Sequence, residues 1–168
     1  MTTLKEGGLE IRFPPGTNVR RFDDELTYGL SHCMKAVDFI VELTDRICFI
    51  EIKDPDNPQV QLKDKKEFTR RLLAEELDAD LIKKLRDSFI YEWACKHVGK
   101  PIHYWVVIGL DALTEVQLLN RKDALKQKLP VRGPSSGKWK RAVVENCEVF
   151  TIRTWNRSLP QFPILRNP

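Results

Sequence analysis

The sequence predicts an α/β domain with a central mixed sheet flanked by helices. Two neighbouring apolar runs, KAVDFIVEL at 35–43 and RICFIEIK at 46–53, have the branched and aromatic composition of β-strands. A helical apolar stripe follows at 79–98, and the nearly continuous apolar run at 102–110 is typical of a strand covered on both faces. Strands interleaved with helices in this order indicate a layered α/β domain.

The N-terminal segment is less regular. Residues 1–19 contain FPPG and are predicted to form an irregular or strand-like lead-in. Within residues 20–32, Phe22, Leu26 and Leu30 recur at i, i+4 and i+8. This spacing predicts a short helix ahead of the first long strand.

The remaining segments complete the predicted layers. Residues 59–78 are polar with a weak helical pattern, and residues 111–129 are again helical in pattern. Residues 130–141, PVRGPSSGKWKR, are predicted to be a loop, because glycine, proline and serine are concentrated there. The tail, 142–168, offers one or two short strands and then a coil interrupted by prolines.

Composition predicts one soluble domain spanning residues 1–168. Hydrophobic residues make up 42% of the chain and charged residues 31%, a balance that excludes a disordered chain. No apolar run approaches the roughly 20 residues of a membrane span, and MTTLKEGGLE lacks the apolar core of a secretion signal. We therefore expect a cytoplasmic protein without membrane association.

The cysteines are widely separated in the sequence. There is no CxxC pair of the kind that holds zinc, and the spacing also argues against an iron–sulfur cluster. Free, buried thiols are predicted instead, which agrees with a cytoplasmic setting. The four cysteines are Cys33, Cys48, Cys95 and Cys147.

Two acids fall opposite each other if the first two strands form a tight hairpin. With Thr44 and Asp45 as the turn, paired residue numbers sum to about 89, so Asp38 faces Glu51 with Cβ atoms roughly 5 Å apart. Lys53 points to the same side as Glu51, because side chains alternate along a strand. All three charged groups therefore share one face of one hairpin.

Two carboxylates this close repel each other unless a cation lies between them. Mg²⁺ prefers oxygen ligands and typically uses one or two carboxylates, leaving its other positions to water and substrate phosphate. An adjacent ammonium, here Lys53, can orient or deprotonate an attacking water or stabilise charge on the phosphate. The pattern therefore predicts a phosphodiester hydrolysis site that uses Mg²⁺ or Mn²⁺.

The alternative is a cross-strand salt bridge on a solvated face of the sheet. Ile40, Ile47 and Phe49 lie on the same face of the predicted hairpin as the three charged groups. A face with this apolar content should be partly buried, and buried charges are usually paired or bound to something. This favours the metal site over the solvated salt bridge.

Val37-Asp38 and Glu51-Ile52-Lys53, with twelve residues between the two acids, resemble the motif of the PD-(D/E)XK nuclease superfamily. The resemblance implies a restriction-endonuclease-like core of helix, three strands, helix and strand. It also implies Asp38 and Glu51 as metal ligands, the Ile52 backbone carbonyl as a possible third, and Lys53 as the catalytic lysine. Valine stands where the motif has proline.

Two parts of that core are left open by the sequence. Many family members carry a further acid on the first helix, and Asp23, Asp24 and Glu25 compete for this position, with Asp24 as our candidate. The first strand of the core is supplied either by the segment Met34–Leu43 or by residues before Arg20.

Positive charge is concentrated near the C-terminal third. The whole chain has a net charge of +4, whereas the segment 121–141 alone has eight basic residues against one acid. Its final part sets an aromatic residue among cations in a flexible frame, which suits a nucleic-acid backbone with a stacked base. The candidate residues are Arg132, Lys138, Trp139, Lys140 and Arg141. The alternative is an ordinary solvated helix face and loop.

Together these patterns predict a Mg²⁺-dependent nuclease that hydrolyses DNA, with roles in defence or repair both compatible. A domain of this size has no separate module for reading sequence, so it would recognise structure, act as a homodimer or depend on a protein partner. One alternative is a non-catalytic nucleic-acid-binding subunit with the same fold. A second is a protein-interaction module.

Overall fold

The computed structural model describes residues 1–167 and, within them, every side chain except that of Thr27. The strands are β1 Thr2–Glu6, β2 Leu9–Phe13, β3 Asn18–Arg21, β4 Phe39–Glu42, β5 Ile47–Lys53, β6 Ile102–Ile108, β7 Asn146–Phe150 and β8 Ile164–Arg166. The helices are α1 Glu25–Tyr28, α2 Leu62–Leu73, α3 Asp78–Ala94, α4 Glu115–Lys128 and α5 Ile152–Ser158. The α/β class is confirmed.

The main sheet has five strands in the order β3-β4-β5-β6-β7. The first two pairings are antiparallel, whereas β5 pairs with β6 and β6 with β7 in parallel. Strand β4 therefore runs against the other four. The parallel pairs require crossovers, and helices α2, α3 and α4 supply them. A second sheet, β1-β2-β8, is antiparallel throughout.

The main sheet is covered on both faces. Ile40 and Phe49 belong to an apolar cluster that includes residues of α3 and α4. Phe39 and Ile50, which point the other way, belong to a second cluster with the small sheet and α5. This explains the nearly continuous apolar run of β6, since six of its seven residues are buried.

The hairpin register predicted from the sequence is confirmed. Phe39 is paired with Ile50 and Glu42 with Ile47, so partner numbers sum to 89. The backbone N–H of Leu43 donates to the carbonyl of Arg46 over 2.9 Å and closes the two-residue turn. Strand β4 is shorter than predicted, beginning at Phe39 rather than at residue 35.

The helix predicted for residues 20–32 is wrong over most of that length. Its first two residues complete β3, the antiparallel partner of β4. Helix α1 is a single turn, because the Asp24 side chain caps its start and Gly29, at φ 63°, ends it in the left-handed region. The i, i+4, i+8 spacing of Phe22, Leu26 and Leu30 predicted a longer helix with one buried face, but Leu26 is exposed.

The C-terminal tail is more ordered than predicted. Residues 152–158 form α5, and β8 extends the small sheet beside β2. Trp155 is fully buried, and its indole N–H donates to the carbonyl of Phe162 over 2.5 Å.

Among residues 1–167, no helix combines the length and apolar character needed to cross a membrane.

Candidate active site

The hairpin places Asp38 and Glu51 side by side, as predicted. Asp38 directly precedes β4, and continuing the register of the hairpin sets it opposite Glu51. One carboxylate oxygen of Asp38, Oδ2, accepts the backbone N–H of Ile52 over 2.6 Å. Asp38 is 4% exposed and Glu51 is fully buried. Two carboxylates are thus held together inside the fold.

Lys53 joins this pair from the end of β5. Its Nζ lies 2.6 Å from Oε1 of Glu51. The Lys53 side chain is 29% exposed, whereas Glu51 is not exposed at all. Lys53 therefore links the buried carboxylate to the surface, where a substrate would arrive.

A second lysine, absent from the sequence-based prediction, completes the cluster. Lys84 on α3 places Nζ 2.6 Å from Oε1 of Glu51 and 3.4 Å from Oδ1 of Asp38. Lys84 follows Leu81 by three residues and precedes Ser88 by four, and both of those are buried. That spacing puts Lys84 on the helix face that meets the sheet, which is the signal that could have found it.

In the part of the chain that the structure describes, only one of the two carboxylate oxygens of Glu51 has a partner. Both lysines contact Oε1, while Oε2 is buried and has no hydrogen-bond partner among the described residues. Burial, followed by repulsion from Asp38, raises the pKa of Glu51 from 4.5 to about 7 despite the two lysines. A buried carboxylate with a raised pKa and a spare oxygen is typical of functional sites.

The donor set suits a hard divalent cation. Carboxylate oxygens of Asp38 and Glu51 are the ligands that Mg²⁺ and Mn²⁺ prefer, and the unpartnered Oε2 is available. Ile52 donates its N–H to Asp38, and the C=O of a strand residue points to the same edge as its N–H. The Ile52 carbonyl therefore faces the Asp38 side, as a third ligand would.

Other acids complete the surroundings of Asp38. Asp23 and Glu6 both have raised pKa values, first because they are partly buried and then because Asp38 repels their charged forms. Asp24 instead accepts the N–H of Leu26 over 3.0 Å as the cap of α1. Among the described residues, no third acid, His or Cys makes a three-residue metal-binding group with Asp38 and Glu51. Further ligands would be backbone, water or substrate.

The predicted nucleic-acid-binding loop lies at the other end of the sheet. Glu145, where the loop returns to the sheet, donates its N–H to the carbonyl of Ile102, the first residue of β6. Lys53 is paired with Ile108, the last residue of β6. Ile108 lies about 20 Å along the strand from Ile102. The loop and the carboxylates therefore do not form one compact site.

The members of the basic segment divide into two groups. Arg132, Lys138 and Lys140 are exposed, and Trp139 is half-exposed. Arg141 instead donates to the backbone carbonyls of Val98 and Lys100 and lies over the Phe89 ring.

Most cations of helix α4 pair internally. Arg121 and Lys128 contact Asp78, Lys122 contacts Glu148, and Lys126 contacts Asn146. Much of the positive charge counted in the sequence therefore stabilises the fold.

No protein-family model, curated protein or solved structure matches this chain.

Proposed function

We propose that this protein is a metal-dependent nuclease that hydrolyses phosphodiester bonds of DNA, with Asp38, Glu51 and Lys53 as its active site. The observation that carries the proposal is the convergence of these three groups at one end of the hairpin, with one Glu51 oxygen left unpartnered. Structural ion pairs normally satisfy both carboxylate oxygens, because an unpartnered buried oxygen is costly.

The order of elements supports a restriction-endonuclease-like fold. Three antiparallel strands, β3, β4 and β5, are followed by α2 and α3 and then by the parallel strand β6, so α2 is an addition before the helix that the core requires. Apart from α2, this is the strand, strand, strand, helix, strand part of the core that the motif implies. The single turn α1 lies between β3 and β4 rather than ahead of the strands, so this chain departs from that core at its first helix.

The chain's own residues have distinct roles in the proposed reaction. Asp38 and Glu51 would hold Mg²⁺ or Mn²⁺, which supplies charge stabilisation and activates a bound water. Lys53, being partly exposed, donates a hydrogen bond to a non-bridging phosphate oxygen as negative charge builds there. The Ile52 N–H fixes the Asp38 carboxylate, so its other oxygen keeps a constant position.

Cleavage assays with single- and double-stranded DNA and RNA in Mg²⁺ and Mn²⁺ test this proposal. We expect Asp38→Asn and Lys53→Ala each to lower the cleavage rate by about a hundredfold or more while remaining folded. Asp123→Asn, an exposed acid on α4, serves as the matched control and should cleave like wild type. Equal cleavage by all variants would assign the activity to a different site or a contaminant.

The position of Lys84 favours a second candidate, a nucleic-acid-binding subunit without catalysis. Its ammonium already contacts both carboxylates, as a permanent counter-charge would. This function predicts DNA affinity that is unaffected by Mg²⁺ and no cleavage of any substrate. Binding measured with Mg²⁺ and with EDTA therefore separates the two candidates.

A further inference from the structure

We propose that Lys84 occupies the place of the divalent cation in the free protein and competes with it for Asp38 and Glu51. This inference rests on the proposed function, since it concerns how the same site takes up its metal. Lys84 Nζ contacts one oxygen of each acid, at 3.4 Å and 2.6 Å. A position within reach of both carboxylates is the one that a bridging cation would take.

Charge balance makes the two cations alternatives. When both acids are ionised, as metal binding requires, Asp38 and Glu51 contribute two negative charges, and Lys53 and Lys84 contribute two positive charges at close range. Adding a divalent ion to this neutral, largely buried cluster would leave two uncompensated positive charges, which is unfavourable where water is scarce. Moving the Lys84 ammonium away relieves half of that excess and leaves Oδ1 of Asp38 open as a ligand beside the unpartnered Oε2 of Glu51, while Lys53 keeps its contact with Oε1.

The Lys84 side chain lies near the surface, beside another acid on the same helix. It is 16% exposed, so part of it already meets solvent. Asp80 lies one helical turn earlier on α3, in the i, i+4 arrangement that favours an acid followed by a lysine. Asp80 is partly exposed and pairs with Lys35, and Lys84 is among the charges that lower its pKa, so its carboxylate lies within electrostatic reach of the displaced ammonium.

The exchange couples metal uptake to substrate. Any group that draws the Lys84 ammonium outward raises the affinity of the carboxylates for metal, since the two cations compete for the same oxygens. The negatively charged phosphate of DNA, arriving at the partly exposed Lys53, is such a group. Metal should therefore bind weakly to the free protein and more strongly in the presence of a DNA duplex.

Calorimetric titration with Mn²⁺, in the absence of DNA, tests the competition. Lys84→Gln should bind Mn²⁺ roughly tenfold more tightly than wild type, because a competing charge has been removed. Lys84→Arg retains the charge and should bind like wild type. Lys83→Gln changes the exposed neighbour on the same helix and is the matched control. Glu51→Gln should abolish binding in every background.

Thermal unfolding gives a second readout. Lys84→Gln leaves two buried carboxylates without that counter-charge, so its melting temperature should fall in EDTA and recover in Mn²⁺ more than that of wild type. Equal Mn²⁺ affinity in wild type and Lys84→Gln would overturn the competition, while the site would stand if Glu51→Gln abolished binding. Absence of Mn²⁺ binding in all variants would overturn both this inference and the proposed function.

Discussion

The Glu51 cluster and the Asp78 cluster both bury acids against two cations, and they differ in how the acid's oxygens are used. Asp78 gives one oxygen to Arg121 and the other to Lys128, the latter over 2.7 Å. Glu51 gives the same oxygen to two lysines and leaves the other without a partner among the described residues. Both oxygens of the Asp78 carboxylate are therefore paired, and we call such a carboxylate closed. The Glu51 carboxylate instead has one oxygen available for a ligand.

A third buried acid also has both of its carboxylate oxygens paired. Glu92 on α3 is 1% exposed, and Arg20 contacts both of its oxygens, at 3.3 Å and 2.6 Å. An unpartnered buried oxygen costs about 1–3 kcal/mol, so leaving one at Glu51 reduces stability. Loss of stability at a position that could serve chemistry is the pattern expected of an active site.

The largest expected effect is the loss of stability on removing the acid of the Asp78 cluster. Asp78→Ala leaves the buried Arg121 guanidinium and the Lys128 ammonium without this acid, and it should lower the free energy of unfolding by about 3–5 kcal/mol. Cleavage per folded molecule should stay at the wild-type level. Urea denaturation together with cleavage rates measures both quantities. A loss below about 1 kcal/mol would contradict the view that this cluster is structural.

The next effect concerns how stability depends on pH. The pKa of Glu51 is raised from 4.5 to about 7, so the folded state binds a proton more strongly than the unfolded chain does between these values. Stability should therefore fall as pH rises from about 5 to about 8, by roughly 1–3 kcal/mol from this residue. Glu51→Gln cannot titrate and should show a flatter profile.

Urea denaturation of wild type and Glu51→Gln at pH 5 and pH 8 measures the difference between the two profiles. Glu75→Gln is a suitable control, because Glu75 contacts Arg121 and Lys128 of the Asp78 cluster and its pKa is lowered, first by the hydrogen bond from Lys128. If the unfolding free energies of wild type and Glu51→Gln changed by the same amount between pH 5 and pH 8, the raised pKa of Glu51 would not be the source of the pH dependence.

The sequence predicted the carboxylate pair because both determinants of its geometry are local. A two-residue turn at Thr44 and Asp45 fixes the register, and alternation along the strands fixes the face. Nothing beyond this hairpin was needed to bring Asp38 opposite Glu51. The same reasoning placed Lys53 on that face, where the structure has it.

Lys84 could not be placed in the same way. Its position on the buried side of α3 can be inferred from Leu81 and Ser88, yet the contact with the carboxylates depends on how α3 crosses the sheet. Helix crossing is set by packing over the whole interface rather than by spacing along one element. Strand β3 was missed for a related reason, because a short edge strand, NVRR, has no apolar pattern of its own.

The smallest expected effect concerns the exposed cations of the loop, which belong to neither cluster. Replacing Lys138, Trp139 and Lys140 together with alanine should weaken DNA binding a few-fold and lower the salt dependence of affinity by about two units of slope. Cleavage at saturating DNA should not change, because the loop meets the sheet where β6 begins, whereas Lys53 lies beside its end. Affinities measured across a salt series, beside single-turnover cleavage rates, report the two quantities separately. A hundredfold loss of cleavage at saturating DNA would mean that the loop reaches the carboxylates, and the two ends of the sheet would then act as one site.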